Sequence, residues 1–478
     1  MPKTNYSFTQ SQLAKITALK NKKILILGAG REGYSSYQFL RSLFPKQILT
    51  VSDQNQSIKK TNPWKQTFQQ DLYLVGIFGQ HHLNCLTQFE LIFKTPGIPS
   101  TLPPIIAAKE SNCLFTSNCE WYLRLAKGKI IGITGTKGKS TTSSLIAHTF
   151  NTSGFHTLLI GNIGHPPLSY LTQTTNKTIS VMELSAHQLQ DLKQSPHYAV
   201  VQNITSEHLD YYQNNQAYIA AKSPIVKYQK SKDYYIYCDE FKTSNDFAKL
   251  TPAQKLTYGL KPRSHYLAYA HGRALFYHDQ KYPESVIDLK QLKLIGKHNL
   301  YNLLPVLILA KHFQLTNEQI QSAFYSFTPL RHRLEYVATV NHISYYNDSL
   351  STTPVAAIAA LKTFDGKNIH LLAGGFDRHQ NFNTFAAQIL RSSVKTLILF
   401  PVTGKRLKKA VINLALKKKI LVPNFFEVET MEEAIQIVNQ QAKSHDIVLL
   451  SPASASFNQF KDYADRGDKF CTCVKNLL

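Results

Sequence analysis

The chain has 478 residues, 43% of them hydrophobic and 18% charged, a balance that excludes a disordered polymer and allows roughly three domains of ordinary size. No run approaches the roughly 20 apolar residues of a membrane-spanning helix, and the polar start Met1-Pro2-Lys3-Thr4-Asn5-Tyr6 lacks an apolar leader core, so a cytoplasmic protein without a membrane partner is expected. The net charge of +24 favours polyanions, but apart from short clusters at 405–409 and 417–419 the lysines are scattered, and anionic small molecules are expected as partners, with no nucleic acid.

The expected fold class is α/β in three domains, each a sheet with helices. Residues 1–124 read as an N-terminal Rossmann-like domain. A buried strand at 23–27 runs into Gly28-Ala29-Gly30-Arg31-Glu32-Gly33, which opens a helix, and the next strand at 48–51 ends at Asp53. A glycine turn with an acidic residue some way on suggests NAD, although the same turn suits any diphosphate. A strand at 91–94 then enters the turn Thr95-Pro96-Gly97.

Residues 125–328 alternate strands and helices as a doubly wound sheet does, with strands at 129–134, 157–160, 178–182 and 198–202. The first of these enters Gly135-Thr136-Lys137-Gly138-Lys139-Ser140-Thr141-Thr142 and then a helix. The backbone N–H groups of such a turn, with the helix N-terminus, cradle phosphate oxygens. Lys139 is placed to reach the β- and γ-phosphates of ATP, and the Ser140 hydroxyl to hold Mg²⁺. Ile133 stands where the usual phosphate-loop spacing has glycine. Residues 329–478 read as a C-terminal Rossmann-like domain, with strands at 343–346, 369–373, 396–400 and 447–450. The six cysteines form no Cys-x-x-Cys pair and no zinc spacing, so reduced structural thiols are expected.

Polar residues follow the strands: Asn162 in Gly161-Asn162-Ile163-Gly164, Glu183, Asn203, Asp348 and Ser451. Ligands of open α/β sheets sit outside the carboxyl ends of the strands, so Asn162, Glu183 and Asn203 of the middle segment are expected to gather with the phosphate loop. A carboxylate such as Glu183 beside that loop suits a hard cation.

Several phrases occur in order: the phosphate loop; Glu183-Leu184-Ser185-Ala186-His187-Gln188-Leu189; Asn203-Ile204-Thr205-Ser206-Glu207-His208; Ala221-Lys222; Gly296-Lys297-His298-Asn299 with Asn302; His332-Arg333-Leu334-Glu335; Asn347-Asp348-Ser349; and 451–460. In this order they resemble the Mur ligase family of peptidoglycan synthesis, over nearly the whole chain. The resemblance implies that ATP phosphorylates a carboxylate of UDP-N-acetylmuramoyl-L-alanine and that the amine of glutamate, the D-isomer, attacks the acyl phosphate. It implies catalytic Lys139, His208 and Lys222, with Lys222 carbamylated. It implies two Mg²⁺ ions on Ser140, Glu183, His208 and Lys222. The nucleotide would meet Gly135–Thr141, Asn299, Arg333 and Asp348. The UDP-sugar would meet Gly28, Gly30, Gly33, Asp53, Thr95, Pro96, Gly97, Asn162, Ser185 and Gln188. Glutamate would meet Thr352, Arg378, Ser456, Phe457 and Tyr463, and the protein would act as a monomer.

The chain departs from the family at Leu350 and Arg378, where lysines are usual, and at Ala186 and His187. These positions bear on the acceptor, so a ligase of the same family with another acceptor, such as L-glutamate, is the main alternative. An NAD-dependent dehydrogenase would have no use for Lys139 and Ser140, and a catalytically dead binding protein would not need Lys139, Glu183, His208 and Lys222 together.

Overall fold

The computed structural model describes residues 8–205, 211–279, 282–457 and 459–478. They form three sheets. The first is five parallel strands, β1 (Ile24–Leu27), β2 (Leu49–Asp53), β3 (Leu74–Phe78), β4 (Leu91–Lys94) and β5 (Leu114–Thr116), in the order β3-β2-β1-β4-β5. Each residue of β1 and β4 is buried, as expected for apolar runs covered on both faces.

The second sheet contains β6 (Lys129–Thr134), β7 (Thr157–Gly161), β8 (Ile179–Glu183), β9 (Tyr198–Val201), β10 (Tyr234–Cys238), β11 (Gln254–Gly259), β12 (Ala268–His271), β13 (Ala274–Asp279) and β14 (Tyr282–Asp288). Their order is β14-β13-β12-β11-β10-β9-β6-β8-β7. β6–β9 form the expected doubly wound sheet, and parallel β10 and β11, which were not expected, extend it. The last three strands add an antiparallel meander that sequence reasoning did not place. The third sheet, β15 (Glu335–Val340), β16 (Ile343–Asn347), β17 (Ile369–Gly374), β18 (Val394–Phe400), β19 (Asn424–Glu427) and β20 (Ile447–Leu450), runs β15-β16-β20-β17-β18-β19. Only the β15–β16 pair is antiparallel.

The chain divides into two compact units: Met1–Gln291 with Tyr301–Tyr325, and Leu292–Leu300 with Ser326–Leu478. The first unit holds both the five- and the nine-stranded sheets. One apolar core runs through it, from Ile24 and Val51 by way of Trp121 and Tyr122 to Met182 and Val201. Polar contacts join its two sheets as well: Lys94 Nζ lies 3.3 Å from Asp191 Oδ2, and Tyr122 OH lies 2.7 Å from Ser180 Oγ. In the second unit, cores form on both faces of the third sheet. Among the described residues no helix is long and apolar enough to cross a membrane. The six cysteines are free thiols, as expected.

Candidate active site

In the second sheet β6 lies between β8 and β9, so chain order reverses around it, and open α/β sheets bind ligands beyond the carboxyl ends of strands at such a point. The phosphate loop leaves β6 there. Gly135 and Gly138 have φ of +152° and +89°, and Gly138 is the N-cap of the helix Lys139–Thr152 without a side-chain cap hydrogen bond. Glycine is required at both positions: a Cβ on Gly138 would overlap Asn302 Oδ1, and one on Gly135 would lie 2.5 Å from Gln202 Cβ.

The loop is fastened from two sides. Thr136 N donates to Asn203 O at 2.8 Å, while the Thr136 hydroxyl donates to Thr205 O and accepts from Thr205 N, both at 2.9 Å. Behind it, Gln202 Nε2 donates to Thr142 Oγ1 at 2.9 Å and Thr142 Oγ1 to Asn302 Oδ1 at 3.4 Å. Lys137 is exposed, whereas Lys139 and Ser140 are half-buried. Lys139 Nζ folds back onto its own turn, donating to Gly135 O at 2.9 Å and Thr136 O at 3.1 Å. Lys222 ends the helix Asn215–Lys222 and is only 1% exposed. Its Nζ donates to the same Gly135 O at 3.1 Å and to Thr134 Oγ1 at 3.3 Å, and sits 4.8 Å from the Tyr218 ring centre.

Glu183 is the last residue of β8, in register with Ile133 on β6 and Gly161 on β7. It is buried. Its Oε1 accepts from Asn162 Nδ2 at 2.7 Å, and its Oε2 has no hydrogen-bond partner among the described residues. That leaves one buried carboxyl oxygen without a partner among the described residues at the end of β8, the kind of oxygen ligand that suits Mg²⁺. His208 lies outside the described residues.

On the first sheet the glycine turn is close-packed. A Cβ on Gly28 (φ +99°) would overlap Thr95 Oγ1, and one on Gly33 would overlap Gly28 O. Ala29 is clamped at both ends of its residue: its N–H donates to Asp53 Oδ2 at 2.7 Å, and its carbonyl accepts from Trp64 Nε1 at 2.6 Å. A cleft of about 390 Å³ opens here, lined by Gly30, Arg31, Tyr34, Asn62 and Trp64. Ser185 and Gln188 close a capping box on the short helix Ala186–Leu189, and Gln188 Nε2 donates to Glu32 Oε1 at 2.7 Å, joining the two sheets' motifs. Burial pushes the Glu32 carboxyl above its ordinary range, against the opposing bond from Gln188. Trp64 and Glu32 carried no sequence signal of their own. They reach the turn only through the fold.

In the second unit, Asn299 is buried and donates to Ile295 O at 2.6 Å. Arg333 is set between His332 and Leu334, both non-glycine residues at positive φ (+63° and +45°), so its backbone is held in a strained bend. Asp348 follows β16 and is buried. It accepts from Ser451 Oγ at 2.7 Å and Leu334 N at 3.2 Å. Burial raises its carboxyl to about 6, with hydrogen bonds from Ser351 and Ser451 opposing the rise.

The residues expected to hold glutamate also gather in this unit. The Arg378 guanidinium stacks 5.4 Å from the centre of the Phe457 ring, which is 57% exposed and packs edge-on against Phe376. Thr352 O accepts from Gln380 Nε2 at 3.3 Å, tying the loop after β16 to the loop after β17. Ser456 is buried, and Tyr463 O accepts from Ser349 Oγ at 2.7 Å.

A phosphate loop at the reversal point of one parallel sheet marks an α/β nucleotide-binding protein, and the second α/β unit carries buried Asp348 and a stacked arginine beyond its own strand ends. Residues 133–310 match the family described as Mur ligase middle domain, and residues 332–454 the one described as Mur ligase, glutamate ligase domain. The chain is 32% identical over 462 residues to UDP-N-acetylmuramoylalanine--D-glutamate ligase of Clostridium perfringens, covering 96% of this chain and 98% of that one. It is 33% identical over 460 residues to the protein of the same name from Streptococcus mutans, covering 96% and 98%. Two solved structures share the fold. MurF from Acinetobacter baumannii has a TM-score of 0.59 at 14% identity, covering 98% of both chains. UDP-N-acetylmuramate-alanine ligase MurC from Thermotoga maritima has 0.58 at 18%, covering 95% of this chain and all of that one. The chain belongs to the Mur ligase family.

Proposed function

We propose that this protein joins D-glutamate to UDP-N-acetylmuramoyl-L-alanine at the expense of ATP, in peptidoglycan synthesis. The observation that carries this is near-full-length similarity to relatives of that name, in a chain whose phosphate loop keeps Lys139 and Ser140. A carboxylate oxygen of the nucleotide sugar takes the γ-phosphoryl group and ADP departs. The glutamate amine then attacks the acyl carbon, an amide C–N bond forms, the C–O bond to phosphate breaks, and the amine proton passes to solvent.

The residues suit this chemistry, which needs positioning and charge neutralisation more than covalent help. Lys139 exchanges its bonds to two loop carbonyls for bonds to phosphate oxygens. Ser140, Glu183, His208 and Lys222 are the residues that would hold two Mg²⁺, which supply charge neutralisation at the phosphates, and the unpartnered Glu183 Oε2 fits that use. Carbamylated Lys222 would turn a buried cation into an anion while its N–H keeps the bond to Gly135 O. Gly135–Thr141, Asn299, Arg333 and Asp348 take ATP. The turn at Gly28–Gly33, with Asp53, takes the UDP diphosphate and uracil end, and Thr95–Gly97, Asn162, Ser185 and Gln188 take the sugar and its lactyl-alanine arm. Thr352, Arg378, Ser456, Phe457 and Tyr463 take glutamate. The reading includes three domains, 1–124, 125–328 and 329–478, acting as a cytoplasmic monomer.

The test is phosphate release with UDP-N-acetylmuramoyl-L-alanine and D-glutamate, L-glutamate, meso-diaminopimelate, L-lysine or L-alanine supplied singly. Release with D-glutamate above the rest supports the reading. A preference for a diamino acid or alanine overturns it, and a preference for L-glutamate corrects the stereochemistry alone.

A further inference from the structure

Arg466 sits in the first turn of the helix Tyr463–Lys475 and is 1% exposed. Its guanidinium makes four hydrogen bonds. Nε donates to Ser349 Oγ at 3.0 Å and Nη2 to Ser349 O at 2.9 Å. Nη1 donates to Ser454 O at 3.1 Å and Ala455 O at 3.3 Å. The backbone of Gly375 (φ +140°) lies against the same group, where a Cβ would stand 3.2 Å from Nη1. One cation therefore touches three loops, those leaving β16, β17 and β20. The same loops carry Thr352, Arg378 and Ser456.

All four acceptors are neutral, and among the described residues no carboxylate pairs with Arg466. By contrast, buried Lys94 has Asp191 and half-buried Arg41 has Asp71. An uncompensated buried charge is costly, and here burial alone pulls the guanidinium down to about 9, which leaves it cationic at neutral pH. A neutral side chain could tie loops together through hydrogen bonds without that cost. The retained charge has a use if a counter-charge arrives with the ligand. Glutamate brings two carboxylates, and Arg378, stacked on exposed Phe457, is one cation placed to meet them.

We infer that Arg466 is a positioning residue for the acceptor amino acid: from behind three loops it fixes Thr352 and Ser456 and supplies the second positive charge that a dicarboxylate requires. This rests on glutamate being the acceptor.

The experiment uses the full chain, with Arg466→Lys and Arg466→Met, each checked for a cooperative thermal transition. KM is measured for glutamate, ATP and the nucleotide sugar, and inhibition constants for glutarate, a dianion, and for its monoamide, a monoanion. Arg466→Met is expected to raise the glutamate KM about tenfold, the order expected for one charge about 12 Å away at a surface-like dielectric. The ATP KM stays within about threefold on the same scale. Glutarate should weaken more than the monoamide, and Arg466→Lys should recover most of the loss. Equal losses for dianion and monoanion, or for glutamate and ATP, would mean scaffolding only and overturn the inference. Should Arg466→Met fail to fold, Arg466→Lys decides: a glutarate constant weakened more than tenfold, with no preference over the monoamide, counts against a role for charge. Wild-type enzyme that releases no phosphate with glutamate overturns the underlying function and Arg466's role with it. An active wild type with indifferent variants overturns Arg466 alone.

Discussion

Lys139 and Lys222, 83 positions apart in the chain, donate to the same acceptor, Gly135 O, at 2.9 and 3.1 Å. Two cations thus converge on one carbonyl at the base of the phosphate loop. On the proposed function, Lys139 alone is called on to serve the nucleotide as a positive charge. Converting Lys222 into a carbamate would remove the repulsion while leaving its N–H bond in place.

Lys139→Ala is expected to lower turnover by at least about 10²-fold, the usual loss when one stabiliser of developing charge is removed. Turnover within a few-fold of the parent would remove Lys139 from the chemistry.

Lys222→Ala should be inactive and partly rescued by short carboxylic acids, which restore an anion in the vacated space. Lys222→Arg should resist rescue, since its cation stays. A fully active Lys222→Arg enzyme rules out the carbamate.

Asp348 links stability to acidity. Its folded-state carboxyl is raised to about 6 from an ordinary 3.8. Between those values the folded chain holds a proton that the unfolded chain has released, so this residue favours folding increasingly as pH falls through the window. Its cost is complete above pH 6. Asp348→Asn should therefore stabilise the unliganded protein at pH 7.5 by up to about 3 kcal/mol, with the advantage gone near pH 4, while ATP binding weakens. Denaturant midpoints at the two pH values check this, and a variant no more stable than the parent at pH 7.5 refutes it.

Gly138→Ala places a side chain at φ +89° and against Asn302 Oδ1. Stability should fall by about 1–3 kcal/mol, and nucleotide binding should be lost. Adding Asn302→Gly removes the overlap and leaves the backbone strain, so melting temperature should recover in part. Full recovery would show that strain plays no role.

Arg378→Ala should raise the glutamate KM strongly and leave the ATP KM nearly unchanged, with Arg378→Lys losing less. An arginine fork grips a carboxylate with two bonds where lysine offers a point charge. Equal changes in both constants would separate Arg378 from the acceptor.

Many of the parallel strands were legible because burial on both faces writes them as short apolar runs; 91–94 and 447–450 coincide with β4 and β20, whereas the parallel strands β5, β10, β11 and β19 were not placed. The strand-end positions of Gly135, Glu183 and Asp348 followed from the same runs. Other elements lacked that signature. β3 carries Gly76 and is mostly half-exposed, and the β12–β14 meander mixes tyrosine, histidine and charge along strands with a solvated side. The contacts that set the site were out of reach for a different reason. Asn302 behind Gly138, Gln188 on Glu32 and Arg466 under Ser349 pair residues 117 to 164 positions apart, and no local pattern announces such partners. A lone arginine in Ala464-Asp465-Arg466-Gly467 looks like any surface helix residue until the fold buries it.

The Trp64 indole that grips the Ala29 carbonyl gives the protein a built-in optical reporter. The chain has two tryptophans. Both are buried, Trp121 at 2% and stacked on Phe93 and Trp64 at 3%, but Trp64 is the one that lines the cleft at the glycine turn. A diphosphate settling on that turn alters the surroundings of one indole and spares the other. Titrating the nucleotide sugar against intrinsic fluorescence would then follow occupancy of this cleft alone, without turnover and without a label, and Trp64→Phe would silence the signal.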